Sequence, residues 1–245
     1  MLLLDAGNSA LKCLHPGSGE RWRFDWSQEW VWQQISDGFI ELGAQPAWLA
    51  SVVPEALTAR IEASWNALYP EQPVRRLHSL PSLGGLNNGY HRPEQLGVDR
   101  WLAMVAAFHR PLGDCIIVDA GSAITVDLLS RSQGHLGGAI LPGRHTDRPR
   151  FHALFPQIDF TDPGLTPSPE PGRSTRECLH PVGGRSLLPH LSGVLQRWRG
   201  RLEEPVTVLI GGQDAAWLAE RLPMDGHVDQ DLVFEGMLRQ IEALG

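Results

Sequence analysis

The chain has 245 residues, a formal net charge of −7, ten histidines and three cysteines. Its length suits one large domain or two of ordinary size, and the acidic balance argues against a nucleic-acid partner. Cys13, Cys115 and Cys178 are widely spaced with no Cys-x-x-Cys pair, which excludes a zinc knuckle and a disulfide framework and points to a reducing, cytoplasmic setting. Asp5 interrupts the apolar start and no run nears the ~18 apolar residues of a membrane span, so neither a signal segment nor a membrane partner is expected.

In chain order, Leu2 to Leu4 reads as a buried strand, broken by Gly7-Asn8-Ser9, with Ala10 to Leu14 and Glu20 to Phe24 as returning strands. Ser27 is a candidate cap for a helix running to about Leu42, with Val31, Ile35, Phe39 and Leu42 on one face. Trp48 to Val53 is a strand, and Pro54 opens a helix over Glu55 to Leu68. Pro81 to Pro93 is rich in Gly, Asn, Pro and Ser and reads as a loop, after which Gly97-Val98-Asp99-Arg100 enters a helix to about His109.

The pattern then restarts. Cys115 to Val118, Ala123 to Leu129 and His135 to Ile140 are strands. The segment from Arg144 to Pro171 is irregular and proline-rich. Gly172 to Arg199 is helical in parts, broken by Pro181 and Pro189; Val206 to Ile210 is a strand, and Asp214 to Arg221 and Gln230 to Ala243 are helices. Two runs of hairpin strands, each followed by alternating helices and strands, predict a duplicated α/β domain with a cleft between the copies. The copies span 1–110 and 111–245, the last helix being a candidate to pack back on the first.

Each copy opens on an apolar run ending in Asp-x-Gly: Asp5-Ala6-Gly7-Asn8-Ser9 and Asp119-Ala120-Gly121-Ser122-Ala123. An Asp at a strand end can address a cation, a Gly lets a phosphate approach the backbone, and the small polar residue after it can bond phosphate oxygens. Lys12 follows the first turn and can meet a phosphate as a point charge. One such turn is most simply a β-turn; two on matching strands predict a phosphate-binding fold without naming the reaction.

These turns resemble the phosphate motifs of the actin, sugar kinase and heat-shock ATPase superfamily, and the chain is most similar to type III pantothenate kinases. That family's Asp-x-Gly-Asn-Ser/Thr-x-x-Lys is matched by Asp5 to Lys12, its Ser-Val-Val-Pro by Ser51 to Pro54, and its Gly-x-Asp-Arg by Gly97 to Arg100, preceded by Tyr90 and Pro93. Asp119 to Asp127 matches Asp-x-Gly-Thr/Ser-Ala-x-Thr-x-Asp, Gly137 to Gly143 matches Gly-Gly-x-Ile-x-Pro-Gly, and Gly211-Gly212 completes the set in family order.

The resemblance implies a duplicated ribonuclease H-like (actin-like ATPase) fold and ATP-dependent phosphorylation of pantothenate, the first step of coenzyme A biosynthesis. It implies a homodimer, Mg2+ or another divalent cation with ATP, and K+ or NH4+. Asp99 takes the position of the general base. Asp5, Gly7, Asn8, Ser9, Lys12, Gly121 and Ser122 take nucleotide positions; Ser122 stands where Thr is usual. Tyr90, Gly97, Val98, Asp99, Arg100 and Thr175 take substrate positions, with Arg100 a bidentate ligand for a carboxylate. Asp119 takes the monovalent-cation position, and Trp101, beside Arg100, is a candidate to line the pocket. The chain departs from the family after Gly143, where Pro149 interrupts the usual helix, and at Ile210, where Thr is common before the glycines. Those departures leave two rivals open: a weakly catalytic nucleotide-binding regulator, and a phosphohydrolase with water as acceptor.

Overall fold

The computed structural model describes residues 1–144, 171–178 and 187–244. Most of the proline-rich segment, Pro149 included, and Pro181 lie outside them. The chain forms two compact units, Met1–His78 and Ser79–Gly245.

In the first unit, β1 (Leu2–Ala6), β2 (Ala10–His15) and β3 (Glu20–Asp25) form an antiparallel meander. Helix α1 (Val31–Leu42) leads to β4 (Ala47–Ser51), which pairs parallel to β1, and α2 (Glu55–Leu68) leads to β5 (Arg75–Arg76), parallel to β4. The strand order is β3-β2-β1-β4-β5. Strand β1 is buried along its whole length, as a strand covered on both faces must be. One of its faces, Leu2, Leu4 and Ala6, packs with Val31, Ile35 and Phe39 of α1 and Ile61 and Trp65 of α2. Helix α1 starts at Val31, four residues after Ser27: Val31 N–H bonds the Gln28 carbonyl at 3.3 Å and Gln28 N–H the Asp25 carbonyl at 3.1 Å, so residues 25–31 run as consecutive turns.

The second unit begins with a hairpin inside the expected loop, β6 (Ser82–Leu83) and β7 (Leu86–Asn87), turning through Gly84 and Gly85. A single 3-10 turn (Pro93–Gln95) precedes α3 (Val98–His109). The meander then recurs as β8 (Asp114–Ala120), β9 (Ala123–Ser130) and β10 (Gly134–Pro142). After it come α4 (Thr175–Cys178), α5 (Leu187–Arg199) and β11 (Val206–Gly211), then α6 (Ala215–Ala219), β12 (His227–Val228) and α7 (Leu232–Leu244). Strand β11 runs parallel to β8 and to β12, giving the order β10-β9-β8-β11-β12, the first sheet's order repeated. Ile116, Val118 and Ala120 pack against Leu191, Leu195 and Trp198 of α5 and Leu218 of α6. Pro189 does not break α5: it is the third residue of the helix, where the backbone N–H it lacks would have no intrahelical partner.

Both sheets therefore share the duplicated ribonuclease H-like order. The packing units divide at His78 because α3 lies against α7, the last helix, within the second unit. There Trp101 is fully buried and its Nε1 donates to Gln240 Oε1 at 2.8 Å. Trp101 is thus a core residue and not a pocket wall.

Candidate active site

In the first turn, Asp5 is almost fully buried and stands opposite Lys12 across the β1–β2 ladder, with Lys12 Nζ 3.3 Å from Asp5 Oδ2. The turn is closed by Gly7 N–H bonding the Ala10 carbonyl at 3.1 Å, and Trp26 Nε1 donates to the Gly7 carbonyl at 2.8 Å. Trp26 N–H bonds the Ser9 carbonyl at 3.1 Å, and Asn8 is exposed at the tip. A Cβ placed on Gly7 would come no closer than 3.8 Å to the protein. The fold itself does not require a glycine there, so the bare backbone leaves room for a ligand atom.

The turn after β8 is built alike. Gly121 N–H bonds the Ala123 carbonyl at 3.0 Å, and a Cβ on Gly121 would come no closer than 3.7 Å. Gly143 N–H bonds the Ser122 carbonyl at 3.1 Å, which fixes the last glycine of the Gly-Gly-x-Ile-x-Pro-Gly run onto this turn. Asp119, the penultimate residue of β8, is half-buried beside the Gly211-Gly212 turn. Gly212 has φ +88°, and a Cβ there would lie 2.6 Å from Asp119 Oδ1 and 2.5 Å from the Ala120 carbonyl, so only glycine fits. Among the described residues no group of three or more His, Cys, Asp or Glu is placed to hold a metal ion.

The third element is the start of α3. Gly97 is its N-cap, Val98 is buried and Asp99 is in the first turn, where a carboxylate is favoured by the helix dipole. Asp99 Oδ1 accepts the Arg100 backbone N–H at 2.7 Å. Arg100 points the other way, into the interior, with a side chain only 5% exposed. Its Nε and Nη2 donate to Asp127 Oδ2 and Oδ1 at 2.8 and 2.6 Å, and its Nη1 donates to the Tyr90 hydroxyl at 2.7 Å. The bidentate partner expected to be a substrate carboxylate is therefore Asp127, because a buried guanidinium needs a fixed counter-charge in the absence of water.

Around this pair the packing is close. His135 Nε2 lies 2.9 Å from Asp127 Oδ1, and the His135 ring stacks on Tyr90 with centroids 5.8 Å apart. Tyr90 is buried, its hydroxyl 2.9 Å from Cys178 Sγ. Gly138 faces Asp127 across the β9–β10 ladder, and a Cβ there would overlap Arg100 Nη2, the Val126 carbonyl and Asp127 Oδ1. Burial opposes the charged form of Asp127, yet the Arg100 guanidinium and the His135 bond hold its carboxyl down at about 2. Burial pushes the Cys178 thiol up, as it does the Tyr90 phenol. Thr175, half-buried, donates its hydroxyl to the Gln95 carbonyl at 2.7 Å, tying α4 to the 3-10 turn.

The structure thus gathers Tyr90, Gly97, Val98, Asp99, Arg100 and Thr175 in the second unit, with Asp119, Gly121 and Ser122 at the β8 turn of the same unit. Asp127, His135 and Cys178 join Tyr90 and Arg100 without having been singled out for a role. Asp127 closes a sequence motif, which was the one available signal; His135 meets Asp127 across the β9–β10 hairpin with no motif to mark it, and the partners of Cys178 lie in distant segments.

Among the described residues no helix is long and apolar enough to cross a membrane. The type III pantothenate kinase family model matches residues 1–181. A type III pantothenate kinase of Ectopseudomonas mendocina is 31% identical over 97% of this chain and 97% of its own length. One from Alcanivorax borkumensis is 32% identical over 98% and 97%. Among solved structures, a Campylobacter jejuni protein described as a Baf family transcriptional activator is matched over 99% of this chain and 98% of its own, with a TM-score of 0.51 and 22% identity; that likeness speaks to the fold alone.

Proposed function

The chain belongs to the type III pantothenate kinase family, and we propose that it transfers the γ-phosphoryl group of ATP to the primary hydroxyl of pantothenate, the first step of coenzyme A biosynthesis. The observation that carries this reading is the start of α3: a half-buried carboxylate, Asp99, held at a helix N-terminus next to an arginine that Asp127 and Tyr90 lock in place. The substrate hydroxyl oxygen forms the new bond to the γ-phosphorus as the bond to the β-phosphate oxygen breaks and ADP leaves. Asp99 accepts the hydroxyl proton, and its placement matters at least as much as its basicity, because phosphoryl transfer depends chiefly on alignment and charge neutralisation.

Asp5, Gly7, Asn8, Ser9 and Lys12 supply one set of nucleotide contacts, and Gly121 and Ser122 another. Asp5, a single buried carboxylate with Lys12 beside it, fits a divalent cation held mainly by phosphate oxygens and water. Such a cation, when bound, neutralises charge developing between the phosphates. Asp119, which shares the Gly212 turn with the Ala120 backbone carbonyl, is the carboxylate for a monovalent cation, K+ or NH4+, which needs several further oxygens. Tyr90 and Thr175 border the substrate, and a second copy of the chain completes a homodimer in the cytoplasm.

The test is ADP release from ATP and Mg2+, with and without pantothenate, in K+ and then Na+ buffer. Release that requires pantothenate is expected, and Asp99→Asn should lower kcat by about 100-fold or more while leaving the unfolding transition in place. A folded wild-type protein that releases no ADP in response to pantothenate sinks the reading. Near-normal turnover by Asp99→Asn removes the base assignment alone.

A further inference from the structure

We propose that Asp127 and His135 are positioning residues for the substrate turn: together they fix the guanidinium of Arg100 and the phenol of Tyr90, and through them the first turn of α3 that carries Asp99. The inference rests on the kinase reading above and assigns work to two residues that this reading leaves idle.

Asp127 receives Arg100 from two sides, at 2.8 and 2.6 Å, which sets both the direction and the roll of the planar guanidinium. That roll aims Nη1 at the Tyr90 hydroxyl, 2.7 Å away. Asp127 is itself oriented by His135, whose Nε2 must carry the proton in order to donate to a carboxylate. The His135 ring then stacks on Tyr90 at an interplanar angle of 22°, closing a loop of four side chains. Arg100 is the residue next to Asp99, so a shift of the buried guanidinium is passed to the backbone whose N–H the Asp99 carboxylate accepts.

Two further observations show that the arrangement is specified. His135 Nδ1 is buried and has no hydrogen-bond partner among the described residues. A phenylalanine would stack on Tyr90 without burying that polar atom, so packing alone does not account for a histidine. Gly138 leaves the ladder bare opposite Asp127, in the space the Arg100–Asp127 pair occupies. The pair, the ring and the missing side chain fit one another, and their common outcome is a fixed Tyr90 and a fixed Arg100, the third residue of α3.

The experiment compares His135→Phe, which keeps the ring and loses the donor, with His135→Gln, whose amide can reach the place of Nε2. Steady-state constants for pantothenate and for ATP are measured separately, with a thermal unfolding midpoint for each variant. His135→Phe should raise the pantothenate KM or lower kcat so that kcat/KM for pantothenate falls about tenfold, the size of one lost bond to a charged group, with the ATP KM within about twofold of wild type. His135→Gln should recover most of that loss. Should His135→Phe fail to fold, His135→Asn, whose shorter amide cannot reach Asp127, takes its place under the same criterion. The proposal is overturned if the donor-less variant keeps the wild-type constants, if both substrates' KM values rise in parallel with a fallen midpoint, or if His135→Gln is no better than the variant lacking the donor. Absence of pantothenate-dependent turnover in the wild-type protein would count against the kinase reading first, and is told apart because it needs no variant.

Discussion

Replacing Asp127 by leucine would leave the Arg100 guanidinium buried with its counter-charge gone. The side chains of the pair are 5% and 2% exposed, so water cannot take over the two donor groups that Asp127 receives. Removing one partner of a buried pair costs about 3–5 kcal/mol, because the remaining charge is desolvated and unpaired. For a chain of this size 1 kcal/mol moves the midpoint by roughly 2–4 °C, so Asp127→Leu should unfold about 6–20 °C below wild type. The control is the double change Asp127→Leu with Arg100→Met. It removes both charges and fills the space with apolar atoms, and the Tyr90 hydroxyl keeps Cys178 as a neighbour. The double variant should recover most of the lost midpoint even though it cannot be an effective kinase. Differential scanning calorimetry at neutral pH reads both. The reasoning is refuted if Asp127→Leu unfolds within about 2 °C of wild type, or if the double variant is no more stable than the single.

Two other outcomes follow from the same pair. Gly138→Ala should lower the midpoint by several degrees, because the added methyl meets the Val126 backbone as well as the Arg100–Asp127 pair and overpacking of this kind costs about 1–3 kcal/mol; an unchanged midpoint would mean the ladder opens freely there. The acid limb of stability should carry Asp127: its carboxyl lies at about 2 when folded and at 3.8 when free, so it binds protons less readily in the native state. Its contribution, on the order of 2 kcal/mol, is therefore present above pH ~4 and is lost as the pH falls towards 2. Urea unfolding at pH 5, 4, 3 and 2.5 measures it, and an equal loss in the Asp127→Leu/Arg100→Met double variant would show that the acid sensitivity comes from other carboxylates.

The sequence by itself determined the elements and their order. Continuous apolar runs such as Leu2 to Leu4 and Ile116 to Val118 must be buried strands, the Asp-x-Gly turns ending them are local, and the spacing of Val31, Ile35 and Phe39 draws one helix face. These signals are short-range, which is why the repeated order of elements is legible in the sequence alone, whereas the order of strands within each sheet is set by pairing. The two-residue strands Arg75–Arg76 and His227–Val228 were not, because they have no period of their own and exist only through pairing with β4 and β11. The Ser27 cap failed for a similar reason: backbone bonds to Asp25 and Gln28 carry the chain through further turns before the helix begins.

The site divides along the same line. Asp5 with Lys12, and Asp99 with Arg100, are close in the chain, so their company could be read from spacing. What Arg100 does with its guanidinium could not be read, since Tyr90, Asp127 and Cys178 reach it from three separate segments and His135 braces Asp127. A sequence shows that an arginine is present and charged. Only the tertiary structure decides whether that charge meets water, a substrate or a buried carboxylate, because the cost of desolvation depends on everything packed around it.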